Sequence, residues 1–467
     1  MQDHPREIDE TNPAGPVRAA SGRTPTRRLP LRRPGVIGES YLLLVFALAL
    51  VARMLVARFP ADAYMGTGLL FDQLGLRIAV GLGMGPTALL PPLYPEYLGL
   101  LYRTYGYSHH AVVASHALLG ALSATLTGLF VRYVGLGRKY AFLAGVLVAL
   151  FPQALAQTRH LSPQILVGFL FLVGAFLWLR HRSRPRWFQV TIAGLLFGLA
   201  ILGRAGLFVP IAAIAVAPRP GSGVVGRRFV LLLLVLSTTV PWMIRNSRLH
   251  EEPVLVDSTW AMRLQAATIP GSHHIDYRVP GRGTLYADHM EVLENRLALA
   301  EIIGFGLTRP ATVVGVWLRR VQDEISFSGW NDAATRDLFP YHGIAYRWAQ
   351  ALMFGTLLTL ALAWLILLRG WGERERACAI VVLAFTLLAA VGDGPGDARL
   401  YALPFLTVLA MRGAWGLLVL SRVRPFAAGA TWSERPFPSG VMLPSRMRVF
   451  GWLALCAALW VHGFWHW

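Results

Sequence analysis

Asp72 is a carboxylate on a short run whose apolar members, Leu70, Phe71, Leu74 and Ile78, recur at helical spacing. Behind it come a Gly/Pro-punctuated turn and the string Pro91-Pro92-Leu93-Tyr94-Pro95-Glu96. Such an amphipathic segment lies in a membrane interface with its carboxylate near the surface, where partial desolvation suits a general base acting on a hydroxyl or amine. A solvated loop charge is the competing reading. The second set of residues is cationic. Arg53 and Arg58 close the first apolar run, Arg77 and Arg103 lie in the stretch after it, and Arg159 and Arg204 sit in short connections. Arg245 and Arg248 follow the seventh run, and Arg399 opens the tenth. Guanidinium groups grip phosphate oxygens through paired hydrogen bonds, so a lipid phosphate or pyrophosphate is their natural partner. Headgroup snorkelling is the alternative, for Arg58 especially.

Other polar groupings carry less. His273-His274 with Asp276 lacks a third ligand at useful spacing, His109-His110 is weaker still, and no metal site is expected. Asp393 and Asp397 in GDGPGDAR read as a solvated turn before a helix. Cys378 and Cys456 each lie inside an apolar run and support neither a disulfide framework nor a zinc site. A phosphate-binding Walker loop, GxSxG and HExxH are all missing, which argues against an ATP-driven pump or a membrane metalloprotease.

These residues must be positioned by membrane-embedded helices. With 467 residues, 55% hydrophobic content and a mean hydropathy of +0.49, the chain is too apolar for a soluble globular protein. Its net charge of +19 is spread over short loops between apolar runs, the pattern of the positive-inside rule, so nucleic acid is not expected as a partner. Residues 1–40 are polar, Arg- and Pro-rich and read as a disordered cytoplasmic tail. Apolar runs follow at 41–59, 111–132, 140–156, 161–179, 188–203, 204–217, 229–244, 347–368, 376–392, 399–420 and 449–464. The expected fold is an all-α polytopic membrane protein of about eleven transmembrane helices, and one long broken helix across Gly203-Arg204-Ala205-Gly206 is the alternative to a division there. Alternation from a cytoplasmic N-terminus puts the basic loops inside and two long loops, 60–110 and 245–346, outside. The transmembrane domain then occupies 41–421, a cytoplasmic loop 422–448 and a last helix 449–467. Within the second long loop, helical spacing over 289–327 is interrupted at Thr308-Arg309-Pro310.

The order of features resembles the GT-C polytopic glycosyltransferases, in particular bacterial members similar to protein mannosyltransferases and aminoarabinose transferases. Four stretches carry the resemblance: Phe71-Asp72-Gln73-Leu74 with PPLYPEYLGLLYRTYG at 91–106, GLLFGLAILGRAGL at 194–207, TTVPWMIRNSRLHEEPVLVDST at 238–259, and ARLYALPFLTVLA at 398–410. It implies an inner-membrane enzyme with amphipathic helices in its first outer loop. Such an enzyme moves a sugar from a polyprenyl-phosphate-linked donor to a lipid, glycan or protein acceptor on the periplasmic face, with inversion. It implies Asp72 as the base and Arg245 and Arg399 as holders of the donor phosphate; from the outer-face arginines, Arg53 and Arg103 join them as phosphate candidates, and Tyr94, Glu96 and Tyr401 are the expected substrate contacts. No cofactor is implied, and a divalent metal ion stays open. The chain departs from the family pattern at Gln73, where relatives often carry a second acid, at Leu161-Ser162-Pro163-Gln164, where they often read Leu-Ser-Glu, and at Gly203-Arg204-Ala205, where Thr-Arg-Pro is familiar. The alternatives are a transporter or flippase of a lipid-linked glycan and a catalytically silent relative.

Overall fold

The computed structural model describes residues 40–58, 67–180, 186–217, 224–270, 290–326, 343–367, 372–392, 397–422 and 446–465. The chain divides into two units, Met1–Glu39 and Ser40–Trp467, and the described residues all belong to the second. They form helices and connecting turns, with no strand among them. Each of the eleven apolar runs falls on a helix. These are α1 (Ser40–Val56), α4 (His109–Tyr133), α5 (Arg138–Ala149) with α6 (Pro152–Ala156), α7 (Gln164–Arg180), α8 (Trp187–Gly203), α9 (Phe208–Val216), α10 (Val224–His250), α14 (Gly343–Leu362), α15 (Glu373–Val391), α16 (Asp397–Arg422) and α17 (Arg446–Trp465). Between them lie α2 (Gly68–Ala79), α3 (Leu93–Tyr105), α11 (Trp260–Thr268), α12 (Met290–Thr308) and α13 (Pro310–Ile325).

Four helices among the described residues are long and apolar enough to cross a bilayer, or up to six if each bent pair is one span. The expectation of about eleven crossings is not reached on that criterion, because α1, α7 and α8 have 17 residues each and α9 only nine. At 1.5 Å per residue α9 rises about 14 Å, half of a hydrocarbon core. The break before it is real: α8 ends at Gly203, Arg204 is extended, and a single 3₁₀ turn leads into α9.

Aromatic and small residues fill the bundle core. Phe171 packs edge-on to Phe385 at 5.3 Å and against Phe405 at 5.7 Å, and Phe405 meets Phe130 at 5.9 Å. Gly413 lets α16 close on α14 so tightly that a Cβ there would stand 1.8 Å from the Leu360 carbonyl oxygen. α12 and α13 meet at 109° where Pro310 occupies the first turn of α13, as Thr308-Arg309-Pro310 predicts.

The predicted amphipathic segment is α2. It pairs with α3, the helix into which the Pro91–Glu96 string leads, and together with Val112, Leu161 and Leu166 the two form a second, smaller core. Two glycines set the closeness of the pair. A Cβ on Gly75 would lie 2.7 Å from Leu98 Cβ, and one on Gly99 would lie 2.5 Å from Ile78 Cγ2.

Candidate functional site

The α2–α3 interlock buries Asp72, which is 6% exposed, against the last turn of α3. Tyr102 donates its hydroxyl to Oδ1 at 2.5 Å, and Tyr107, in the short link to α4, donates to Oδ2 at 2.8 Å. The two phenol rings meet edge to face at 5.2 Å. Gly106 makes the link turn with φ +75, a conformation that a side chain would disfavour, and Ser108 then caps α4 through the Ala111 N–H. No cation is paired with Asp72 among the described residues. Other carboxylates differ: Asp257 is clamped by Arg263 at 2.7 Å, Glu375 by Arg412 at 2.7 Å and Asp397 by Arg204 at 2.9 Å.

The turn after α2 is held from two sides. Arg245, on α10 beyond Pro241, donates to the carbonyl oxygens of Thr87 at 2.8 Å and of Gly85, and its guanidinium lies 4.6 Å from the Trp242 ring centroid. From α12, Glu291 accepts the Thr87 hydroxyl at 2.6 Å, the Ala88 N–H at 3.2 Å and the Ser258 hydroxyl at 3.1 Å. His250 Nε2 stands 3.9 Å from the same carboxylate. Arg103 donates to the Ile78 carbonyl at 2.9 Å and thereby closes the end of α2 onto α3.

A cleft of about 550 Å³, counting its open mouth, lies where α1 and α5 end and α7 and α16 begin. Arg53 and Tyr401 both line it, with Ser123, Gln157 and Gln164 as further polar members and an otherwise apolar wall that includes Phe169, Leu172 and Leu403. Arg53 is 2% exposed, and its Nη1 donates to the Ala49 and Ala149 carbonyls at 3.2 and 3.1 Å. Gly120 leaves it room: a Cβ there would come 2.3 Å from Arg53 Nε. At the cleft's edge Asp397 accepts from Gln164 Nε2 at 3.1 Å and from Arg204, which also reaches the Tyr401 hydroxyl at 3.4 Å. The solvated turn expected at Asp397 is therefore corrected, since the residue opens α16 as half of a partly buried ion pair.

The remaining predicted residues are dispersed. Tyr94 is buried, with its hydroxyl 3.2 Å from His116 Nε2 and its ring edge-on to Phe71 at 5.1 Å; His116 Nδ1 in turn meets the Thr158 carbonyl at 3.3 Å. Burial, together with the neighbouring Tyr97, holds the Tyr94 phenol well above its ordinary range, so it stays protonated. Glu96 is exposed on the first turn of α3. Arg399 is buried, donates to the Asp323 and Glu324 carbonyls at 3.1 and 2.6 Å and thereby ties α16 to the end of α13. Asp72 is thus brought to two tyrosines and to none of the four predicted arginines. No group of three potential metal ligands forms among the described residues, while His273, His274, Asp276 and Asp393 lie outside them. Sequence reasoning missed Tyr102, Tyr107 and Glu291 as polar partners. Tyr102 stands inside the quoted string and Tyr107 one residue past it, so an aromatic-rich segment beside an acid was the available signal.

Residues 102–218 match the family model described as dolichyl-phosphate-mannose-protein mannosyltransferase. Among curated proteins, an uncharacterized protein of Aquifex aeolicus (strain VF5) is 28% identical over 122 residues, 26% of this chain and 24% of that protein. The match thus spans about a quarter of that relative's length. Among solved structures, the oligosaccharyltransferase AglB from Archaeoglobus fulgidus, in complex with an inhibitory peptide and a dolichol-phosphate, aligns over 92% of this chain and 56% of its own at 14% identity, with a TM-score of 0.47. ArnT from Cupriavidus metallidurans aligns in its apo state over 80% of this chain and 77% of its own at 14% identity and TM-score 0.39. Its undecaprenyl phosphate complex aligns over 84% and 81% at 15% and 0.40. The chain is a multi-pass membrane protein whose residues 102–218 carry the sequence pattern of the dolichyl-phosphate-mannose-protein mannosyltransferase family.

Proposed function

We propose that this protein is a membrane glycosyltransferase that moves a sugar from a polyprenyl-phosphate-linked donor to a hydroxyl- or amine-bearing acceptor on the outer face of the membrane. The family description matched by residues 102–218 supports the reaction class. The observation that carries the assignment of the base is Asp72 itself: a buried carboxylate with a neutral donor on each oxygen and no cation paired with it among the described residues. Among the described residues it is bound by hydroxyls alone, whereas Asp257, Glu375 and Asp397 are each paired with an arginine.

In the proposed step the acceptor heteroatom bonds to the anomeric carbon as the bond from that carbon to the carrier phosphate oxygen breaks. The acceptor proton passes to Asp72, and the polyprenyl phosphate leaves with the electron pair of the broken bond. In this reading Arg53, which lines a cleft with apolar walls, holds the anionic group at the head of the isoprenoid chain. Arg245 and Arg103 act by holding the turn and helix that present Asp72, and Arg399 by fixing α13 over α16. Purified protein in proteoliposomes tests the reading. Asp72→Asn should lower transfer from a polyprenyl-linked donor by about 10²- to 10⁴-fold. Normal transfer by that variant would refute the assignment.

A further inference from the structure

Asp72 has two phenol partners that differ in kind. Tyr102 is 5% exposed and approaches Oδ1 from within the α2–α3 core, so it cannot leave without unpacking the pair. Tyr107 is 57% exposed and covers Oδ2 from the solvent-accessible side. It stands on a three-residue link between α3 and α4, directly after Gly106, whose Cβ position has nothing within 4 Å. A base must come within about 2.6–3.2 Å of the hydroxyl it deprotonates. On Oδ2 that position holds the Tyr107 hydroxyl at 2.8 Å.

We propose that Tyr107 occupies the acceptor's place on Asp72 and must swing away on its glycine link before reaction, while Tyr102 is a fixed positioning residue that aims the carboxylate. A hydroxyl of the chain thus stands in for the hydroxyl of the acceptor. When the acceptor is absent, Tyr107 shields the base from water and so suppresses loss of the donor sugar by hydrolysis. This inference rests on the reading of Asp72 as the base.

The test uses the full chain in nanodiscs with no acceptor, and undecaprenyl phosphates carrying mannose, glucose, galactose or 4-amino-4-deoxyarabinose as probes. Water is then the only nucleophile. Its oxygen bonds to the anomeric carbon, the bond to the phosphate oxygen breaks, and one proton goes to Asp72. Tyr107→Ala should release free sugar from at least one probe on the order of tenfold faster than wild type, the effect of losing one hydrogen bond to a charged group. Adding 4-methylphenol should restore the suppression in Tyr107→Ala and leave wild type unaffected, which a structural role for Tyr107 would not produce. Tyr102→Phe should slow release instead. Release by Tyr107→Ala no faster than wild type on every probe, or insensitive to 4-methylphenol, overturns the inference. If the fast release of Tyr107→Ala survives Asp72→Asn in the same chain, the base assignment fails; if Asp72→Asn abolishes release but Tyr107→Ala does not accelerate it, only the placement of Tyr107 fails.

Discussion

Gln164 and Arg204 converge on Asp397: the amide nitrogen of Gln164 lies 3.1 Å from Oδ1 and the guanidinium of Arg204 2.9 Å from Oδ2. Both belong to stretches where the chain departs from the pattern of the family it resembles, so those two departures meet at one carboxylate on the edge of the Arg53 cleft. Gln164 keeps that site neutral enough for a single acid. Gln164→Glu would place a second carboxylate beside Asp397, and like charges at that distance resist joint ionisation. The variant should therefore lose several degrees of melting temperature relative to wild type at pH 8 and recover much of the loss at pH 5, where one carboxyl takes a proton. A pH-independent difference, read by thermal unfolding in detergent, would contradict this account of the cluster.

The α2–α3 interlock sets the geometry of Asp72. Gly99→Ala forces a Cβ to within 2.5 Å of Ile78 Cγ2, and both backbones are helical there, so the helices must separate. Overpacking of this sort costs about 1–3 kcal/mol. Transfer should fall more steeply than stability, because Tyr102 and Asp72 sit on opposite members of the pair. Gly81→Ala, in the turn beyond the interlock where no atom lies within 4 Å of the new Cβ, should strain only the local φ of +87.

Glu291 should act as the clasp of the 84–91 turn. Glu291→Ala removes the acceptor for Thr87, Ala88 and Ser258 together. Hydrogen exchange in 84–91 should accelerate at least tenfold, with α7 and α8 unchanged. Unchanged exchange in the turn would mean that Arg245 alone suffices to hold it.

The buried phenols give an alkaline signature. Burial raises Tyr94 well above, and Tyr97 above, the ordinary phenol value near 10. The folded chain therefore keeps protons that the unfolded chain loses. The stability they contribute is complete below pH 10 and is lost as pH climbs above it. Tyr94→Phe should flatten that alkaline decline, and tyrosinate absorbance near pH 10.5 should be the same in variant and wild type, because Tyr94 does not ionise there while folded.

Local pattern was legible in the sequence and long-range pairing was not. The period of Phe71, Leu74 and Ile78 marks α2, and Pro310 marks the sharp bend between α12 and α13, because both features act within a few residues. The eleven apolar runs fall on helices for the same reason. Helix length at the ends of those runs depends on packing and breaks such as Arg204, which is why only four to six of the described helices are by themselves long and apolar enough to cross a bilayer. Asp397 looked like a turn residue, since its partner Arg204 is 193 residues away. Arg245 was legible as a cation beside the outer loop, but its bonds to carbonyls of a turn about 160 residues earlier were not. Asp72 was legible as an acid on an amphipathic helix, but the tyrosines that hold it become neighbours only when the glycines of α2 and α3 interlock.

The most direct test of the central claim is azide rescue of an Asp72→Ala variant. Azide is a nucleophile with no proton to lose, so it needs no base. In proteoliposomes containing a turned-over polyprenyl-phosphate sugar, Asp72→Ala should show almost no transfer to acceptor. Added azide should restore sugar release as the glycosyl azide, of anomeric configuration opposite to that of the donor. If azide leaves the variant inactive while donor binding is intact, or if Asp72→Ala transfers to acceptor unaided, Asp72 is not the base.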